Sequence, residues 1–523
     1  TILLVAFALW GGVRRRAPGW SLWLATGALV AALLFHMGDG LVRDGWRRPI
    51  NLSLDLPLLP DLARLLRSTV APAALAVGAV AGLVLAVLLS VLIRGALGRA
   101  TKHVAASPRN LVEVAIVSLV TVALSAASPK STTGESIAGF SPSVVPRWIE
   151  QIRFVADARR LRESKAVEIA AVQAHLGGLP SGLEKLAGTD VLVFFIESYG
   201  HTVYTNPHHE RVMSGVHRRF ADELARLGMS VATGQLAAPV QGGGSWMAHA
   251  TFAAGVRIAD GLEFAVLRQT QPPLRTMATF FRQAGYRTLL VQPGTTRPWP
   301  EGEVTGYDRR YYAPDLAYQG PTFDWAPMPD QYVVDFIARK EITAAARPPV
   351  FATFALVSSH APWGVLPPLV DWAKLEAGRI YNEVPPTRFP VNWQTLSRAS
   401  DAYLASLAYD FTVIGEYLPR LARPDTLILV LGDHQPHAAV TGAPPAPEVP
   451  VHVISRNRAL VQAFTHAAGQ SDAKFIDGMR PDLGQPAPGM ETFLADFLRR
   501  LSHARGHALD RQQASGSAAR TVN

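Results

Sequence analysis

Hydrophobic and polar positions divide this chain into two stretches with different periodicities. In the first, apolar residues run on without alternation. Ser21–Gly38 is an 18-residue run broken late by His36, and Val70–Leu97 opens with 24 residues that carry no charge. Leu111–Ser128 is apolar apart from an early Glu113. A bilayer core about 30 Å thick needs about 20 helical residues, so the second run spans easily and the other two span with little tilt. At least three transmembrane helices are therefore expected before residue 130. Thr1–Val13 is apolar but too short to cross, and since the sequence opens without Met it is read as the remnant of a cut helix. A signal peptide followed by buried core helices is the alternative. Three long runs fit it poorly.

The second stretch changes pattern. Pro129–Pro146 is rich in Ser, Pro, Thr and Gly and reads as a linker. A helical pattern follows over about 147–178. Six short β-type runs then alternate with helical patterns: Asp190–Ile196, Met229–Thr233, Arg287–Gln292, Val350–Val357, Thr426–Leu431 and Pro450–Ser455. Runs such as VLVFFI and LILVL are apolar at successive positions, the mark of strands buried on both faces. The expected fold is α/β: N-terminal transmembrane helices, then a three-layer α/β/α domain with a mainly parallel sheet. The expected divisions are 1–128 transmembrane, 129–150 linker, 151–503 catalytic domain and 504–523 a disordered polar tail.

Composition sharpens this picture at two points. The 523 residues include no cysteine, which excludes disulfides, cysteine-ligated metals and cysteine nucleophiles. The net charge of +9 is unevenly placed: residues 1–150 hold 14 Lys and Arg against 7 Asp and Glu, whereas residues 151–523 hold 36 against 34. The basic excess thus sits in the apolar third, where it reads as membrane topology rather than as a nucleic-acid surface. Arg14–Arg16 and the cluster Arg94, Arg99, Lys102 and Arg109 are cytoplasmic by the positive-inside rule, which puts residues after about 128 on the outer face.

Functional groups in open α/β sheets gather at the carboxyl ends of strands. The first expected strand ends in Glu197-Ser198-Tyr199-Gly200, the fourth in Ser358-Ser359-His360-Ala361-Pro362-Trp363, and the fifth in Gly432-Asp433-His434-Gln435-Pro436-His437. Carboxylates with imidazoles suit Mn²⁺ or Zn²⁺ and, with extra waters, Mg²⁺. Gln241-Gly242-Gly243-Gly244-Ser245-Trp246-Met247-Ala248-His249 is a glycine run that opens an apolar helical segment. A serine there sits among free N–H groups that favour anions; the bland alternative is a serine N-cap. Neither a P-loop nor a Gly-x-Ser-x-Gly elbow is present.

In chain order, Glu-Ser-Tyr, Gly-Gly-Ser-Trp, His-Ala-Pro-Trp and Gly-Asp-His resemble the alkaline phosphatase/sulfatase superfamily. More narrowly, the set is similar to the membrane-anchored lipoteichoic acid synthase and phosphoglycerol transferase branch, over about 185–460. The resemblance implies an alkaline phosphatase-like fold and one divalent metal, manganese before zinc or magnesium, held by Glu197, Ser245, Asp433 and His434. It implies that Ser245 is the nucleophile and that His360 faces the substrate's phosphate. It offers Arg297 and Trp299 as substrate-binding candidates. Thr251 is the runner-up nucleophile, and His437 or His249 could supply a second metal site. The Cys/Ser-x-Pro-x-Arg signature of sulfatases is missing, which argues against sulfate esters.

The expected activity is transfer of a phospholipid headgroup, of phosphoglycerol or phosphoethanolamine type, through a phosphoserine to an envelope glycan or lipid acceptor. The expected setting is a bacterial-type inner or plasma membrane, crossed several times, with the catalytic domain on the periplasmic or extracellular face. A phosphodiesterase, phosphatase or sulfatase-like hydrolase of the same fold is the alternative, ahead of an inactive membrane-anchored binding domain.

Overall fold

A computed structural model describes residues 19–503, apart from 47–48, 60–61, 64–65, 68–70, 108, 111, 114–115, 117–143, 272, 298, 345, 394, 442–445 and 467–472. Residues 1–44 with 48–159 form one compact unit, and 160–523 with 45–47 form the other.

In the first unit, helices α1 (Gly19–Trp46) and α2 (Pro72–Ala106) carry the first two apolar runs. Their segments Gly19–Arg43 and Pro72–His103 are long and apolar enough to cross a membrane. Val80, Leu83, Leu88 and Val91 on α2 are all exposed, a surface that suits lipid better than water. Most of the third run, Leu111–Ser128, falls outside the described residues, as do Thr1–Val13 and the 504–523 tail. Helix α3 (Val144–Gly178) starts inside the stretch read as a linker.

In the second unit the strands are β1 (Val191–Ile196), β2 (Ser230–Ala237), β3 (Arg287–Gln292), β4 (Arg309–Tyr312), β5 (Val350–Leu356), β6 (Val365–Leu366), β7 (Thr387–Arg388), β8 (Leu427–Gly432), β9 (Glu448–Ser455) and β10 (Ile476–Asp477). All but β6 and β7 join one sheet, in the order β10-β2-β9-β8-β1-β5-β3-β4. The five strands β8, β1, β5, β3 and β4 run parallel. Three antiparallel pairings add β9, β2 and β10. The six runs read from the sequence are all strands of this sheet. The additional β4 is short, and of its residues only Tyr311 is buried, so it offers no apolar run to read.

Side-chain alternation explains the unbroken apolar strands. Along β1, Leu192, Phe194 and Ile196 enter one apolar cluster and Val191, Val193 and Phe195 enter another. The first face is covered by α4 (Pro207–Arg226), α8 (Asp330–Ile337) and α9 (Ser400–Tyr417), the second by α5 (Ser245–Ala254), α7 (Met277–Gln283), α10 (Arg458–Thr465) and α11 (Phe493–Leu501); α6 (Gly261–Gln269) packs in a smaller third cluster. The architecture is therefore three-layered. Helix α4 shows how sequence sets such an element. Asn206 caps it by accepting from His208 and His209 N–H, Pro207 fits the first turn, and Met213, Val216, Phe220 and Leu224 recur on the buried face.

Behind the end of β1 lies a buried polar knot. The Tyr199 hydroxyl lies 2.9 Å from each of Tyr204 Oη, His217 Nε2 and His452 Nε2. Thr233 Oγ1 meets His452 Nδ1 at 2.7 Å. Burial, with Arg480 adding to it, lowers His217 to about 4. Burial and neighbouring His217 hold His452 well below the ordinary range.

Both histidines therefore fold as neutral rings, whereas in the unfolded chain they take up protons near pH 6.5. Stability that is complete above pH 6.5 should drain away as the pH falls toward 4, by up to about 1.4 kcal/mol per pH unit for each histidine. Denaturant unfolding of the full chain in detergent at fixed ionic strength measures it. A flat stability between pH 6.5 and 4.5 contradicts the neutral assignment.

Candidate active site

Parallel pairing assembles the site from distant sequence. In the β1–β8 register Ile196 lies opposite Gly432, so the next residues, Glu197 and Asp433, leave the sheet side by side. Gly432 is needed there: a Cβ on it would lie 1.8 Å from the Tyr199 carbonyl oxygen. Ser198 turns the chain with φ +61, uncommon for a residue with a Cβ. Its N–H donates to Asp433 Oδ1 at 2.9 Å, and the His434 N–H donates to the same oxygen at 2.7 Å. Asp433 Oδ2 is left facing inward.

His434 Nδ1 meets the Gln435 carbonyl at 2.7 Å. This contact assigns the proton to Nδ1 and directs Nε2 at the acids, 3.3 Å from Glu197 Oε1. Ligand atoms of Glu197, Asp433 and His434 all lie within 4.8 Å of one another, and the three residues are buried.

The glycine run brings the serine to this cluster. Gly242, Gly243 and Gly244 have φ of +65, +148 and +84, conformations closed to most other residues. The Gly242 N–H donates to the Gln435 carbonyl at 3.0 Å and so ties the run to the loop after β8. Gly244, not Ser245, occupies the cap position of α5. Ser245 Oγ instead donates to Glu197 Oε2 at 2.8 Å and lies 3.1 Å from His434 Nε2. The serine is thus spent on the acidic cluster and not on capping the helix.

The charges explain one another. Burial raises the Glu197 carboxyl, but the neighbouring His434 charge outweighs it and holds the group well below the usual range. Against the same burial, Asp433 and Glu197 push His434 up to about 9. Burial and the Glu197 charge push Asp433 up to about 7. One charged imidazole offsets only part of the repulsion between two buried carboxylates, and a further cation would offset the rest. The oxygen and nitrogen donors fit a hard or borderline divalent ion.

His360 follows β5. Its Nδ1 meets the Ala361 carbonyl at 2.7 Å, and its ring lies face to face with Trp325, centroids 3.8 Å apart at 12°. Burial lowers its pKa although the Glu197 charge raises it, so the ring stands in the electrostatic field of the cluster. Arg297 is exposed on the loop after β3. Trp299 stacks on Phe264 at 6.0 Å, and Phe264 packs edge-on against Trp246, the residue after the serine.

The runner-up nucleophile does not join the site: Thr251 is fully buried and its hydroxyl accepts from the Ile258 N–H at 2.9 Å. His437 Nδ1 accepts from the Ala439 N–H. His249 packs on Phe195, with Nε2 buried, unbonded and 4.0 Å from Asp433 Oδ2. Sequence reasoning missed the braces: Ser198, Trp325, the Ser359 hydroxyl donating to the Glu197 carbonyl, and the Tyr403 hydroxyl donating to the Ser198 carbonyl. Serine beside the acid was a visible signal for the first; the others carry none.

Residues 250–456 match the family model described as Sulfatase. The match covers less than half of the chain. The matched segment holds His360, Asp433 and His434, whereas Glu197 and Ser245 lie upstream of it. No curated protein matches the chain. Among solved structures, the lipoteichoic acid synthase LtaP from Listeria monocytogenes is similar at 13% identity and a TM-score of 0.35, over 51% of this chain and 65% of that one. The chain thus spans less than two thirds of LtaP. The Streptococcus pyogenes phosphoglycerol transferase GacH, in complex with sn-glycerol-1-phosphate, is similar at 12% and 0.36, over 69% and 96%. The C-terminal periplasmic domain of EcEptC from Escherichia coli is similar at 17% and 0.33, over 53% and 74%. Likenesses this distant define neither activity nor substrate.

Gly432→Ala should destabilise the chain by at least about 1–3 kcal/mol, because the new methyl meets backbone that cannot step aside. Gly178→Ala, with nothing within 4 Å of its added Cβ, should shift stability by less than about 1 kcal/mol. Thermal unfolding of the two variants checks the pair, and equal shifts contradict the close approach.

Proposed function

We propose that this chain is a membrane-anchored, metal-dependent transferase that moves a phospholipid headgroup to a cell-envelope acceptor through a phosphoserine. The observation that carries the reading is the Ser245 hydroxyl. It opens a helix, leaves the cap to a glycine, and points into a buried carboxylate–imidazole cluster.

A divalent cation held by Glu197, Ser245, Asp433 and His434, manganese first, would lower the pKa of the serine hydroxyl and neutralise charge on the phosphoryl group. The chain's own groups supply the rest. Glu197 Oε2 already accepts a hydrogen bond from the Ser245 hydroxyl at 2.8 Å. As the hydroxyl proton leaves, Ser245 Oγ forms a bond to phosphorus, and the bond from phosphorus to the lipid alcohol breaks. The proton given up by the serine ends on the leaving alcohol, and the headgroup phosphate stays on the serine. N–H groups at the start of α5 and the His360 ring are proposed to stabilise the phosphoryl oxygens. Arg297 and Trp299 are proposed to contact the headgroup. An acceptor hydroxyl then displaces the serine.

The anchor follows from α1 and α2. Two apolar helices would keep the sheet domain near a bilayer, where a lipid donor is concentrated. We place that domain on the periplasmic or extracellular face, and a multi-pass anchor is part of the proposal. The donor is taken as phosphoglycerol or phosphoethanolamine type and the acceptor as an envelope glycan or lipid. The Sulfatase match also favours a hydrolytic reading, in which water displaces the serine after the same first step.

Full-length protein in vesicles containing labelled phosphatidylglycerol or phosphatidylethanolamine, with and without Mn²⁺, tests the reading. Labelled diacylglycerol should appear only with metal. Ser245→Ala should reduce its release by several orders of magnitude, as loss of a covalent nucleophile does, while unfolding stability changes by no more than about 1 kcal/mol. Turnover near wild-type level in the alanine variant, or release that ignores the metal, contradicts it.

A further inference from the structure

His360 is held on two sides. Its Nδ1 is engaged by the Ala361 carbonyl at 2.7 Å, which leaves Nε2 as the nitrogen that can meet a substrate. That contact fixes one atom and not the plane of the ring. Against the face of the ring lies Trp325, whose indole centroid is 3.8 Å from that of the imidazole and whose plane is within 12° of parallel.

Trp325 is not explained as core. It is half-buried and belongs to none of the apolar clusters among the described residues. Its one ring contact among those residues is His360. The backbone is shaped to deliver it. Phe323 and Ala326 exchange both backbone hydrogen bonds, at 2.8 and 2.9 Å, and close a tight turn. Within that turn Asp324 takes φ +50, a conformation an aspartate tolerates better than most residues. The Asp324 carboxylate accepts from the Val365 N–H at 2.7 Å, which ties the turn to the segment just after His360. Behind the indole, Gly294 leaves the necessary room. A Cβ there would lie 2.6 and 2.9 Å from two indole carbons.

We propose that Trp325 is a positioning residue that holds the His360 imidazole in the plane required to meet the phosphoryl group, and whose indole face favours positive charge on that ring. The inference rests on the reading of His360 given under Proposed function. An imidazole free to swing would present Nε2 over a wide arc, and misplacement by about 1 Å can cost up to about a hundredfold in rate. The indole is the strongest of the aromatic faces for a cation, so any charge that transfer places on the ring is met by a surface already in contact. Because Trp325 acts only through His360, its worth vanishes when His360 is gone.

The test is a double-variant cycle on full-length, Mn²⁺-loaded protein in detergent, with inorganic phosphate binding by calorimetry as the first readout and diacylglycerol release as the second. Trp325→Ala should weaken phosphate binding and lower kcat/KM about tenfold, and Trp325→Phe should restore most of both. Gly294→Ala, which displaces the indole without removing it, should reproduce the loss with unchanged tryptophan content. In a His360→Ala background, Trp325→Ala should change phosphate affinity by less than about twofold, while its effect on unfolding temperature is the same in both backgrounds. An equal loss in both backgrounds overturns the proposal, because the indole then acts independently of His360. So does wild-type binding in Trp325→Ala when His360→Ala binds weakly. If His360→Ala itself binds phosphate as wild type does, the reading of His360 fails first and the proposal falls with it.

Discussion

The join between the ends of β1 and β8 is the constraint on which this site depends. Asp433 Oδ1 accepts two backbone N–H groups, one from its own strand end at His434 and one from Ser198 across the sheet. Hydrogen bonds to a charged acceptor are the stronger kind, and this one is fully buried. Spending Oδ1 on the backbone leaves Oδ2 for chemistry. It also locks the turn at Ser198, which sets the direction of the Glu197 carboxylate. The Tyr403 hydroxyl on the Ser198 carbonyl and the Ser359 hydroxyl on the Glu197 carbonyl brace the same turn from α9 and from the end of β5.

From that join the electrostatics follow. Buried acids gathered at the end of an apolar sheet are costly without a positive partner. His434 offsets part of the cost and is itself pushed up to about 9 by the two acids. The serine enters because three glycines allow the chain to bend tightly and because one of them bonds to the Gln435 carbonyl, the same oxygen that orients His434. One carbonyl therefore positions both the imidazole and the loop that delivers the hydroxyl. That arrangement suits the cation and phosphoryl group of the proposed function.

Much of this was legible in the sequence because burial on both faces leaves an unmistakable apolar run. VLVFFI and LILVL mark β1 and β8, and the acid or acid–imidazole pair directly after each run marks where a parallel sheet collects its polar groups. The glycine run read correctly as backbone that needs left-handed conformations. Other features left no trace. Edge strand β4 is Arg-Arg-Tyr-Tyr, and β10 has only two residues. The antiparallel setting of β9 comes from topology, which an apolar run does not encode. Trp325 stands 35 positions from His360 in the chain, and nothing in that spacing announces a stack. The start of α3 was hidden because Ser and Pro around position 144 resemble a linker, while Val144 and Val145 already belong to the helix.

Ser245, and no other hydroxyl, is proposed to take the phosphoryl group. Wild-type protein should be mixed with a phospholipid donor and Mn²⁺, quenched in acid within the first turnover, digested and sequenced by mass spectrometry. A phosphorylated residue is expected at Ser245 and none at Thr251, whose hydroxyl is held by the Ile258 backbone. Phosphate on Thr251, or turnover with no phosphorylated serine at any quench time, would contradict it.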